Sequence, residues 1–412
     1  MQFRETKLEN GLEVVAECNP RAYSAAVAFF VNTGARDESD EISGVSHFLE
    51  HMVFKGTPTR SAADVNRELD EIGSHANAYT SEEHTVYYAA VLPELLDRAV
   101  EILSDILRPS LRDEDFDVEK QVILEEIAKY EDQPPFGAVE KCMAVHYQGH
   151  PLGRSVLGTV NSVGGLTAPQ MKQYFENRYS PGNIKLVAAG NVDFDHLVEL
   201  AQQRCGHWQP FEVQRAMPRA KNRANFQVIT KESAAQEYVI QIANGPAAED
   251  SDRFASRILA TILGDESGSR MFWELIDPGL AEYASTDVSE YQGTGAYFTM
   301  LCCSPEEAES NLQRIRDLHR AAEGRGVRDD ELQRAKTKIC AHIVLQSERP
   351  ANRLFSVGSN WLQRREYRTV REMVDAYQQV TRADIAAVLE RYPLSLCTTV
   401  AVGPLARLAA PR

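Results

Sequence analysis

His47, Glu50 and His51 stand in the run HFLEH. On a helix the two imidazoles, four residues apart, would stack on one face with Cβ atoms roughly 5 to 6 Å apart. Two imidazoles at that spacing can grip one metal ion. Glu50 lies three residues after His47 on the adjoining part of the face, where it can approach the ion's open side without ligating it. A divalent ion beside a carboxylate base is the equipment of metal-assisted hydrolysis.

A single helical histidine is more often a surface or satisfied core group than a ligand. The combination HxxEH is rarer by chance, even with ten histidines in the chain, and is the inverted zincin pattern. A catalytic zinc normally takes three protein ligands and leaves a position for water, so a third donor must come from elsewhere. Glu119 and Glu126 lie seven apart, two turns along one face of a helix predicted over 113–132. Val122 and Ile123 between them predict that this flank is buried. Glu119, Glu125 and Glu126 as solvated surface acids is an equally open reading of the same residues. A closed structural zinc site would need a fourth ligand; no cysteine is near in sequence, and His75 or His84 is the nearest donor.

The helix carrying the motif is predicted from Ser43, as N-cap, to about Lys55, with Gly56 just past its end. Its other stripe, Val45, Phe48, Leu49 and Met52, has the spacing of a core-facing surface. Before it come β-rich runs at 11–18 and 25–31; after it come a helix from Ser61 to Ile72 and extended segments at 75–80 and 84–92. Helices follow over 94–107, 113–132, 136–147 and 168–178, then a strand at 184–190 and a helix to about 206. Residues 208–224 hold two prolines and four basic residues without apolar periodicity, and read as a linker. The remainder repeats the order. Strands are expected at 226–231 and 237–243, helices at 251–264 and near 269–276, extended segments near 283–303, helices over 305–391 and a strand near 396–402. Two halves with one element order predict an internally duplicated α+β protein, divided as 1–212, a linker 213–224, and 225–412.

With 412 residues, 43% apolar and 25% charged, the chain has the proportions of an ordinary folded protein and exceeds the usual size of one core. A net charge of -16 excludes a generally basic nucleic-acid binder. It would suit cationic peptides, and it would equally serve solubility alone. Seven cysteines without a CxxC pair fit reduced thiols, and the opening MQFRE lacks the basic and apolar regions of a signal peptide. A cytoplasmic location is the expectation. No apolar run is long enough to span a membrane.

The segment GVSHFLEHMVFKGT at 44–57 resembles the active-site helix of the pitrilysin/insulysin (insulinase) family of zinc metallopeptidases, in particular the half-length members related to mitochondrial processing peptidase and bacterial processing proteases. The resemblance runs through NGLEVV at 10–15, NAYTS at 77–81 with Glu83 and Tyr87-Tyr88, the Glu119 to Glu126 helix, HPLGRSVLGT at 150–159, SPGNIKLVAAGNV at 180–192 and SGSRMFWEL at 267–275. It implies one Zn2+ per chain held by His47, His51 and Glu126, with Glu50 as base and Glu119 as a supporting acid. The implied fold is two homologous α/β-roll domains, each an antiparallel-rich sheet with helices packed on it, facing each other across a chamber. The implied function is endopeptidase action on peptides in extended form, received as an added strand along Asn77, Ala78, Tyr79 and Thr80. Active relatives also carry, in the second half, an arginine followed seven residues later by a tyrosine. Tyr283 fits the tyrosine, but Ile276 occupies the arginine position and Arg270 belongs to the separate SRMF segment. A shift of one residue aligns Gly279-Leu280-Ala281 instead and puts Glu282 at the tyrosine position. Half-length members commonly work as homodimers or as heterodimers with a related subunit, so the departure also implies completion by a partner chain, or a non-catalytic peptide-binding subunit.

Overall fold

A computed structural model describes residues 1–221 and 223–411; Asn222, in the predicted linker, and Arg412, in the predicted second domain, lie outside the described residues. The first half runs β1 (Gln2–Lys7), β2 (Glu13–Cys18), β3 (Ala25–Val31), α1 (Val45–Val53), α2 (Ala62–Glu71), β4 (His75–Thr80) and β5 (Thr85–Val91). It continues with α3 (Leu96–Ile106), α4 (Asp113–Asp132), α5 (Ala138–His146), α6 (Val160–Gly165), α7 (Ala168–Arg178), β6 (Ile184–Gly190) and α8 (Phe194–Cys205). The second half has β7 (Phe226–Thr230), β8 (Glu237–Gly245), α9 (Arg253–Gly264), β9 (Tyr283–Tyr291) and β10 (Thr294–Cys303), then α10 (Ala308–Arg325), α11 (Asp329–Ser347), α12 (Pro350–Arg364), α13 (Val370–Gln379), α14 (Arg382–Arg391) and β11 (Cys397–Gly403). The helix expected near 269–276 is a single π turn, Phe272–Ile276.

Two sheets organise these elements, and their wiring shows the duplication that residue identity hides. The first has the order β1-β2-β6-β3-β5-β4, the second β7-β11-β8-β10-β9. In the first, β2 and β6 are parallel and every other neighbour is antiparallel. In the second, β7 and β11 are the parallel pair and the rest are antiparallel. Strand for strand, β2, β6, β3, β5 and β4 correspond to β7, β11, β8, β10 and β9. β1 is an addition at the first sheet's edge. β3 is buried along its whole length because both faces of its sheet are covered, which is why it reads as a continuous apolar run.

The division into compact units differs from the expected one. One unit comprises 1–128, 154–216 and 345–368; the other comprises 129–153, 217–344 and 369–412. Each half therefore lends a helix to the other half's sheet. In the first unit, Leu354, Val357 and Trp361 of α12 pack with Val15, Ala26, Phe30 and Val187. A Cβ at Gly358 would overlap the Phe30 ring, so only glycine permits this approach. Polar clamps add to the packing: Arg353 pairs with Glu17, and Trp361 Nε1 donates to Glu13 at 2.9 Å. In the second unit, Ala138, Cys142 and Met143 of α5 pack with Ile240, Ile242 and Val400. Amphipathic spacing says that a helix has a buried face, but not which sheet covers it.

Candidate metal centre

The motif helix α1 is short, nine residues, and starts one residue later than its sequence suggests. Its N-cap is Gly44, at φ +94°, rather than Ser43. Glu38 explains the difference: its Oε2 accepts from Gly44 N–H and its Oε1 from Ser46 N–H, both at 2.7 Å. A distant carboxylate thus satisfies the first turn and leaves the Ser43 hydroxyl unnecessary. Burial of Glu38 pushes its carboxyl up to about 8, against the pull of those two N–H bonds. Val45, Phe48, Leu49 and Met52 are fully buried, as their spacing predicts. Phe48 stacks on Phe116 of α4 with ring centroids 4.7 Å apart, and Ile123 and Ile127 complete the seam. Val122, expected on the buried flank, is exposed instead.

Docked this way, α4 carries its carboxylates to the polar face of α1. Glu126 Oε2 lies 3.7 Å from His47 Nε2 and 3.7 Å from His51 Nε2. All three donor atoms fall within 4.8 Å of one another. Two ligand atoms about 2.1 Å from an ion and at the tetrahedral angle lie roughly 3.4 Å apart, so these separations fit one zinc with little movement. Two imidazoles and one carboxylate are also a donor set that zinc accepts. Burial, and then the neighbouring His51, lower the His47 pKa to about 4, which keeps the imidazole neutral and able to ligate.

Glu119 holds His51 from behind. Its Oε1 accepts from His51 Nδ1 at 2.8 Å, which turns Nε2 toward Glu126, and Lys55 Nζ sits 2.5 Å from the other oxygen. Burial opposes charge on both partners, yet the hydrogen bond prevails, raising the His51 pKa and, with Lys55, lowering that of Glu119. His47 lacks such support: its Nδ1 is buried without a hydrogen-bond partner among the described residues. Glu125 points away and is exposed.

Glu50 accepts from Thr80 Oγ1 at 2.6 Å. Burial raises its pKa, with the Thr80 hydrogen bond opposing. Such an acid holds a proton more readily than an ordinary surface carboxylate.

Thr80 ends β4, and β4 is the outer strand of its sheet. Ser81 N–H donates to the His84 carbonyl at 2.9 Å. By the alternation of an antiparallel ladder, Tyr79 and Asn77 then turn their main chain toward β5, while Thr80, Ala78 and Ala76 turn theirs to the open edge. Among the described residues, Ala78 N–H meets only the Asn77 side chain, at 2.8 Å. Of the four residues expected to receive a strand, Ala78 and Thr80 thus face the edge. The Tyr79 ring lies against Phe355 of α12, with centroids 6.1 Å apart.

The remaining expected residue, Tyr283, belongs to the second unit, where it is 45% exposed at the start of the outer strand β9. Arg270 is held by both oxygens of Glu331, at 3.0 and 2.9 Å, and Ile276 packs against the apolar cluster of Met271 and Leu275. Three contributors escaped sequence reasoning: Glu38, Lys55 and the Thr80 to Glu50 link. Lys55 lies one turn beyond His51, a spacing that could have suggested it; Glu38 and Thr80 act across loops and leave no periodic signal.

Comparison with known proteins places these features in context. The profile of the insulinase family, peptidase family M16, matches residues 13–160, and that of the peptidase M16 inactive domain matches 165–339. An uncharacterized zinc protease of Streptomyces coelicolor is 34% identical over 93% of this chain and 86% of its own. One from Mycobacterium tuberculosis is 32% identical over 93% and 89%. Among solved structures, a protease from Helicobacter pylori superposes with a TM-score of 0.91 at 22% identity, covering 98% of this chain and 99% of that one, and so shares the fold. A peptidase M16 inactive domain from Pseudomonas fluorescens gives the same score at 16% identity, covering 99% and 100%.

Proposed function

This chain belongs to the insulinase family, peptidase family M16, and from that premise we propose that it is a zinc-dependent endopeptidase acting on peptides or unfolded segments in extended form. The observation that carries the reading is the convergence of His47 and His51 from α1 with Glu126 from α4. A zinc ion held by His47, His51 and Glu126 would supply Lewis-acid chemistry, polarising a carbonyl and acidifying water. Glu50, on the same face and pinned by Thr80, takes the proton of the attacking water and returns it to the leaving amine. Glu119 keeps the His51 ring aimed, and the open edge of β4 offers Ala78 and Thr80 for main-chain pairing with the peptide. The net charge of -16 favours basic peptides.

Cleavage of a peptide library by the purified protein, with and without a chelator, tests the reading. Glu50→Gln should keep zinc and lose turnover; a Glu50→Gln protein that still cleaves would exclude the mechanism.

A second reading has its own observation. Ile276 stands where an arginine is expected, and Arg270 is committed to Glu331. On that reading the chain acts as a homodimer or with a related subunit that completes the substrate grip. Native mass, measured alongside activity of the isolated chain, separates the two.

A further inference from the structure

Thr80 is expected above only as part of a strand that a peptide could join, yet its side chain makes a different contact. Side chains along β4 alternate between the two sheet faces, and Thr80 shares its face with Ala78 and Ala76, on the side covered by α1. From there Oγ1–H donates to Glu50 Oε2 at 2.6 Å. A carboxylate has two oxygens and about four acceptor sites, so the contact to Oε2 restrains the group's rotation and leaves acceptor sites unused by Thr80 Oγ1.

The strand adds a second constraint. Ala78 turns its N–H and carbonyl to the open edge two residues before Thr80, roughly 6.8 Å along the strand. A peptide paired at Ala78 thus runs past an acid whose position is set by the strand it is paired with. Docking and proton transfer share one reference point.

We propose that Thr80 is the positioning residue of Glu50, tying the general base to the edge strand so that pairing of a peptide at Ala78 sets the carboxylate beside the bond to be cut. This rests on the endopeptidase reading above. The Thr85 hydroxyl lies 3.4 Å from Thr80 Oγ1 but gives its own proton to the Thr33 carbonyl at 3.1 Å, so it packs beside the threonine and leaves the Thr80 proton to Glu50.

The test compares Thr80→Val, which keeps the shape and removes the donor, with Thr80→Ser, which keeps the donor. Thr80→Val should lower kcat by about tenfold or more, the loss expected for a hydrogen bond to a charged group. KM should change less than about twofold, because the strand edge is intact. Thr80→Ser should recover most of kcat, and all three proteins should hold equal zinc. A second readout needs no metal and no turnover. In the zinc-free protein, Thr80→Val should lower Tm in the wild-type background and change it little beside Glu50→Ala, because the contact is already gone. A Thr80→Val protein that keeps its kcat, or an equal Tm loss in both backgrounds, overturns the inference. A wild-type protein that cleaves no peptide overturns the endopeptidase reading instead, and the Tm cycle still reports whether the two side chains are coupled.

Discussion

Glu119 Oε1 accepts a hydrogen bond from His51 Nδ1 at 2.8 Å, and Lys55 Nζ stands 2.5 Å from the other oxygen of the same carboxylate. A ligating imidazole whose second nitrogen is held in this way has its tautomer and ring plane set before the ion arrives. Glu119→Ala is expected to weaken zinc binding about ten- to hundredfold while leaving the fold intact. Competition with a chromogenic chelator measures this; unchanged affinity would remove Glu119 from the centre.

Adjacent glutamates on α4 should behave differently. Glu126 lies 3.7 Å from both imidazoles, whereas Glu125 is exposed on another face. Glu126→Ala is expected to abolish stoichiometric zinc, and Glu125→Ala to leave it unchanged. Metal analysis of the two purified variants checks the assignment directly, and the opposite pattern would reassign the ligand.

The N-terminus of α1 depends on one carboxylate far from the motif. Glu38→Ala leaves Gly44 N–H and Ser46 N–H without their acceptor, at a cost on the order of 2 to 4 kcal/mol. A lower Tm should be accompanied by weaker zinc binding, because the same helix presents both histidines. Loss of stability with undiminished zinc affinity would show that α1 is held by its apolar face alone.

Acid sensitivity is expected from the second unit. His319 on α10 is 2% exposed, and burial, with Arg316 nearby, lowers its pKa to about 4. Between about 6.5 and 4 the unfolded chain takes a proton that the folded chain does not, so stability is present above that window and falls as pH drops through it. His319→Gln should reduce the difference in Tm between pH 7.5 and pH 4.5, whatever it does to Tm at neutral pH. An unchanged difference would mean that His319 does not contribute to the acid transition.

The seat of α12 offers a last check. Gly358→Ala drives a methyl into the Phe30 ring and should cost about 1 to 3 kcal/mol, read as a lower Tm. Full stability would mean that α12 can lift from the sheet at no cost.

Local chemistry was legible in the sequence wherever it repeats along one element. His47, Glu50 and His51 are separated by helical spacings, and α1 does place them on one face opposite Val45, Phe48, Leu49 and Met52. A helix is expected from Ser61, and Ser61 stands at its start, closing a capping box with Asp64. The element order likewise foretold the duplication now seen in the matching sheet topologies. Val122 shows the limit of the same reasoning: it lies beside Ile123 in sequence, but a helix turns 100° per residue, and the core reaches only one of them.

The sequence by itself determined the parts: a helix with two imidazoles and a glutamate on one face, a second helix with acids two turns apart, and two halves built to one order. Tertiary structure decided which glutamate meets the histidines, that Glu38 and not Ser43 caps the motif helix, that Thr80 hydrogen-bonds Glu50, and that α5 and α12 each join the other half's sheet. Backbone periodicity relates residues within one element, whereas these contacts join elements through packing whose partners no spacing records.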